Sequence, residues 1–72
     1  MTIEEVRHTN QPFLTPAQIA PIMGWDPHYI RLAARDPNRK LPWPVLISGR
    51  QGHRTKIPRK AFLDWWDSVV GQ

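Results

Sequence analysis

The sequence predicts a mostly helical α+β domain, and three observations carry that expectation. Two short helical patterns flank the glycine-containing turn Gly24-Trp25-Asp26, a strand–turn–strand pattern spans residues 45–57, and an apolar helical stripe closes the chain over residues 58–70. The 72 residues suit a single domain with a small core. Four Trp, two Phe and one Tyr supply large apolar areas, and the absence of cysteine excludes disulfide staples and thiolate metal sites. No apolar run exceeds four residues, so the sequence offers neither a transmembrane helix nor a signal-peptide core.

Taken in order, residues 1–12 show no clear period and end in Gln11-Pro12, which reads as a flexible N-terminal tail ahead of a domain over 13–70. Thr15 is a good N-cap, Pro16 suits the first helical position, and Gln18 completes a capping box; Leu14 and Ile19 can form a hydrophobic staple. A helix is expected over 16–23, its apolar face Ile19, Ile22 and Met23, with Pro21 removing one interior bond and Gly24 closing it in a left-handed conformation. Asp26-Pro27 repeats the cap-plus-proline start, so a second helix should run from Pro27 to about Arg35 and stop at Asp36-Pro37. Its inward face is Ile30, Ala33 and Ala34, with His28, Tyr29, Arg31, Leu32 and Arg35 outward. Two helices joined this way form the helix-turn-helix pattern, which a purely structural helical hairpin can also produce.

Leu41-Pro42-Trp43-Pro44 is expected to be extended, with Trp43 plugging the core. Val45 to Ser48 and Arg54 to Ile57 read as the strands of a β-hairpin whose turn, Gly49-Arg50-Gln51-Gly52, is bracketed by glycines. Phe62, Trp65, Trp66, Val69 and Val70 recur at three- and four-residue spacing, so the Trp65-Trp66 pair reads as core rather than as a base-stacking platform. Helix, turn, helix, extended loop, hairpin and helix make the order of a minimal winged helix, with the hairpin as the wing and the last helix covering the helix-turn-helix.

Charge is unevenly placed. The net +4 comes from ten Lys/Arg against six Asp/Glu. Arg31, Arg35, Arg39 and Lys40 make one basic block, and Arg50, Arg54, Lys56, Arg59 and Lys60 make a second, with His53 among them. Such blocks suit a polyanion-facing side, or a solvated basic face.

Phe13-Leu14-Thr15-Pro16-Ala17-Gln18-Ile19-Ala20, then Ile22-Met23-Gly24-Trp25 and Tyr29-Ile30-Arg31, resemble the opening of excisionase-type and MerR-like DNA-binding domains. Leu41-Pro42, Gly49-Arg50, Lys56-Ile57-Pro58-Arg59 and Phe62-Leu63-Asp64-Trp65-Trp66 are similar to the wing and closing helix of the same group. The chain departs from that pattern at Pro21, at Trp25 and at Pro58-Arg59, where a hydroxyl cap is usual. The resemblance implies a winged helix-turn-helix protein of phage or mobile-element origin that binds duplex DNA. An excisionase of this group bends attachment-site DNA and biases an integrase toward excision; close relatives regulate phage promoters. The expected partners are double-stranded DNA and a cognate integrase, the expected compartment the bacterial cytoplasm on the nucleoid, and no cofactor is expected.

Carried over residue by residue, the resemblance places His28, Tyr29, Arg31 and Arg35 on the recognition helix. Arg31 suits bidentate pairing with guanine. Tyr29 suits a phosphate or a thymine methyl, or partial burial against Trp25; His28 suits a phosphate, or simple solvation. The wing tip carries Arg50, Gln51, His53 and Arg54 toward a minor groove, and Lys56, Arg59 and Lys60 suit phosphates, while Arg39 and Lys40 are peripheral. One such module binds weakly alone, so a monomer in solution that binds cooperatively on DNA is expected.

Catalysis is not expected. His8, His28 and His53 lie on separate elements without metal-ligand spacing, the two serines have no recognisable base partner, and no glycine-rich phosphate loop is present. A protein-interaction module using the basic hairpin is the rival reading. RNA stacking is disfavoured by the lack of aromatics on the wing strands, and a membrane-surface role by the absence of a basic amphipathic helix.

Overall fold

The computed structural model describes residues 1–38, 41–48 and 54–71, the Ser48 side chain excepted. In chain order these form α1 (Ile3–His8), β1 (Phe13–Leu14), α2 (Pro16–Met23), α3 (Pro27–Arg35), β2 (Leu46–Ser48), β3 (Arg54–Pro58) and α4 (Arg59–Val70). The mostly helical α+β expectation holds: four helices accompany one three-stranded antiparallel sheet of order β1-β3-β2.

The first helix corrects the sequence expectation of a flexible tail over residues 1–12. Thr2 caps α1 by accepting the Glu5 amide at 3.2 Å, and the Glu5 carboxylate accepts the Thr2 amide at 3.0 Å. Those bonds from Thr2 hold the Glu5 carboxyl below its ordinary pKa, because they favour the charged form. Val6 is completely buried, and Met1 and Ile3 pack against the core. Arg7 donates to both carboxylate oxygens of Asp67 on α4. A six-residue helix is too short to stand alone, so these tertiary ties are what order it.

The central pair of helices matches its sequence signals. Thr15 and Gln18 form the reciprocal capping box, with bonds of 3.3 and 2.9 Å. Gly24 ends α2 at φ 70° and ψ 25°, a left-handed conformation that costs glycine nothing. Asp26 Oδ1 accepts the His28 amide at 2.8 Å and starts α3. At its far end Asp36 turns extended, as a residue before proline must. Pro21 is accommodated inside α2 with its ring exposed.

In the sheet, Leu46 pairs with Lys56, Ile47 with Thr55 and Ser48 with Arg54. The short β1, which periodicity did not announce, adds to the other edge of β3 through Phe13–Pro58 and Leu14–Ile57 pairs. The last helix then begins without a side-chain cap. Its first amide, on Arg59, donates instead to the Pro12 carbonyl at 3.0 Å, so the residue just before β1 supplies the acceptor that a Pro58 side chain cannot.

Val6, Leu14, Ile19, Ala20, Ile30, Trp43, Ile57 and Phe62 form one core that takes residues from every helix. Trp43 is its hub. Its ring meets Phe62 edge-on at 5.1 Å, Trp65 at 5.0 Å and, stacked, Trp25 at 5.9 Å. Trp65 and Trp66 are half-buried, and Trp66 stacks on Phe62. Among the described residues no helix is long and apolar enough to cross a membrane.

Two stability measurements follow from this packing. Trp43→Ala is expected to cost about 3–5 kcal/mol in chemical denaturation, enough to leave so small a domain largely unfolded. The Arg7 guanidinium holds the Asp67 carboxyl below its ordinary pKa, chiefly through their hydrogen bonds. A depressed folded-state pKa stabilises above the unfolded value and stops doing so as pH falls through the folded one. The stability gap between the wild type and Asp67→Asn is therefore expected to be constant above about pH 4 and to shrink below it. Urea midpoints at pH 7 and pH 2.5 check this.

Candidate nucleic-acid interface

Helix α3 buries Ile30 and Ala33 and leaves its opposite side open. His28, Arg31, Leu32 and Arg35, at helical spacing, make one exposed stripe. The Asp26 cap fixes where that stripe begins, and Arg35 in the last turn complements the negative end of the helix dipole. Tyr29 flanks the stripe. Its ring stands edge-on to Trp25 at 5.6 Å while remaining 45% exposed, so it is partly packed and still presents surface.

The structure brings cations from two distant segments together. Thr15 and Pro16 at the start of α2, Arg31 of α3, and Arg54, Thr55 and Lys56 of β3 line one open groove of about 330 Å³. None of these lining residues is acidic. Along β3, Thr55 and Ile57 are buried, and Arg54 at the strand's start stays exposed. Lys56 is half-buried, its ammonium 5.7 Å from the centroid of the Phe13 ring on β1, where the ring face attracts the charge. Of the six carboxylates, Glu4 and Glu5 lie on α1 and Asp64 and Asp67 on α4, while Asp26 and Asp36 cap the two ends of α3, outside the groove lining.

The remaining residues singled out from sequence are placed as follows. Lys60 is exposed in the first turn of α4, outside the groove lining. Arg59 is tied into the fold: Nε donates to the Gln11 carbonyl at 3.0 Å and a terminal nitrogen to the Val6 carbonyl at 3.5 Å. Its guanidinium clamps the N-terminal segment, a role that its place in a basic run did not reveal. Arg50, Gln51 and His53 of the expected wing tip lie outside the described residues, as do Arg39 and Lys40. Thr15, Pro16 and Thr55 entered the site through the tertiary fold alone. Among the described residues no group of three or more His, Asp or Glu side chains is placed to hold a metal ion.

A second, apolar groove of about 390 Å³ runs between Ala33-Ala34 of α3 and the Leu41–Val45 segment. Among the described residues its lining carries no charge. Comparison with family models, with curated proteins and with solved structures finds no match for this chain.

The two neighbouring cations of α4 are expected to separate on substitution. Arg59→Ala removes bonds to two carbonyls and should cost about 1–3 kcal/mol, whereas Lys60→Ala should stay within about 0.5 kcal/mol of wild type. Equal losses in guanidinium denaturation would return Arg59 to the ordinary surface cations.

Proposed function

We propose that this protein binds double-stranded DNA as a winged helix-turn-helix module. The observation that carries the reading is the convergence of Arg31 on α3 with Arg54 and Lys56 on β3, around a groove without acids. Helix α3 follows α2 across a short turn closed by Gly24 and exposes His28, Arg31, Leu32 and Arg35. An exposed stripe of that width suits a major groove, whose base edges a helix reads. The β2–β3 hairpin would follow the duplex beside it, with Arg54 and Lys56 near phosphates. Lys60 adds sequence-independent attraction from the start of α4. The work of such a protein lies where duplex DNA is, on the bacterial nucleoid in the cytoplasm.

Within that class the reading is a recombination directionality factor of the excisionase type, bending attachment-site DNA alongside an integrase. It rests on the resemblance of residues 13–70 quoted above. Control of a phage or plasmid promoter uses the same fold and the same charges, and the location of the bound site distinguishes the two. A single module of this size buries only about 600–1,000 Å² on DNA, which favours cooperative occupancy of adjacent sites by monomers.

The test is a titration of labelled genomic fragments at two salt concentrations with competitor DNA present. Discrete fragments are expected to be retained, beside an attachment site for excision or a promoter for regulation. If about five phosphates are neutralised, the slope of log K against log salt is about −4.5. Lys60→Ala should lower the magnitude of that slope by about 1 and weaken all sequences alike. No retention at low salt would overturn the reading, and capture of an acidic protein by the same cations would replace it.

A further inference from the structure

Helix α3 buries an alanine and leaves a leucine in solvent. Ile30 and Ala33 are its buried residues, whereas Leu32 is 45% exposed. In a chain short of apolar surface, burying leucine would stabilise the fold more than burying alanine. Single exposed leucines are ordinary on protein surfaces, but this one is not isolated. Trp25, Tyr29 and Leu32 are spaced at i, i+4 and i+7 and all three are exposed, and the rings of the first two meet at 5.6 Å. They form an apolar ridge along the open side of the helix.

The charges around the ridge point to what covers it. At about 100° per residue, Leu32 lies about 60° from Arg35 on one side and about 60° from Tyr29 on the other. His28 and Arg31 extend the cationic flank, and all of these side chains are exposed. Between its caps, Asp26 and Asp36, the helix holds no acid. A leucine bordered by cations suits a surface that is anionic at its edges and apolar in patches. The major groove of duplex DNA has that makeup: phosphates line its walls, and thymine C5-methyl groups stand on its floor. A helix with its side chains is about 10–12 Å across, which fits a groove about 12 Å wide. There the long cations reach outward to phosphates while the shorter leucine meets the floor.

We propose that Leu32 is a specificity-determining residue, packing on a thymine methyl group in the floor of the major groove with Tyr29 beside it. This rests on the DNA-binding reading and deepens it. It adds a contact that discriminates among bases to a surface whose charge attracts any sequence. Removing the leucine or removing the methyl group abolishes the same contact, so the two losses do not add.

The test amplifies the fragments retained by the wild type once with deoxythymidine triphosphate and once with deoxyuridine triphosphate, which differ only in that methyl group. The wild type should bind the uracil fragments about three- to tenfold more weakly. Leu32→Ala should lose the same factor on thymine fragments, bind both versions alike, and keep its affinity for random competitor DNA. Its melting temperature should stay close to that of the wild type, since the side chain is exposed. Equal binding of thymine and uracil fragments by the wild type overturns the Leu32 contact and leaves DNA binding standing. A thymine preference that persists in Leu32→Ala also overturns it, because the methyl effect then arises from duplex stiffness or another side chain. No retention of any fragment at low salt overturns DNA binding itself, and this contact with it.

Discussion

Along β3, Thr55 and Ile57 are buried while Arg54 is exposed, because successive side chains of a strand must point to opposite sides. Both edges of this strand are paired, to β1 on one side and β2 on the other. Ile57 reaches the core, and the strand runs directly into α4. A one-residue slip in its register would put Thr55 and Ile57 outside and drive two cations inward. The burial of Ile57 against Leu14, Ile30 and their neighbours therefore fixes the position of Arg54 and Lys56 relative to Arg31. Core packing and candidate interface are consequences of the same alternation.

A chain of this size has little apolar surface to bury and, without cysteine, no covalent staple. Aromatic packing compensates. Trp43, in a segment that bends at Pro42 and Trp43 rather than running extended as the sequence led one to expect, touches Trp25, Phe62 and Trp65, so residues from the α2–α3 turn and from α4 share one centre. The N-terminal segment adds to this from outside. Arg59 bonds the Gln11 and Val6 carbonyls, and its amide bonds that of Pro12. The pieces of backbone that would otherwise end unpaired thus satisfy one another.

The parts of the fold written in local chemistry were legible. Thr15, Pro16 and Gln18 marked the start of α2, Gly24 its end, and Asp26-Pro27 the start of α3, because caps act on residues within one helical turn. Trp43 was correctly placed in the core from its proline-bound neighbourhood. What local chemistry does not hold was missed. Strand β1 is two residues long and exists only because β3, more than forty positions later, offers an edge. Helix α1 has few apolar residues to form a period, although Thr2 and Glu5 carry the same capping spacing that betrayed α2. In the candidate site, the exposed α3 side chains followed from periodicity. The meeting of Arg31 with Arg54 depends on tertiary placement and had no sequence signal. The clamp made by Arg59 was hidden by its neighbours' charge, since a basic run does not reveal which cation faces a carbonyl.

The bond between Arg7 and Asp67 joins the first helix to the last turns of the chain. The first and last helices of the described polypeptide are thereby held together, and among the described residues neither α1 nor α4 contributes a residue to the cationic groove. A second domain could be attached at either end, or a new connection made between the ends and a break opened elsewhere, without crossing the proposed DNA-facing surface. The architecture is that of a module suited to fusion, presenting its basic side whatever it is tethered to.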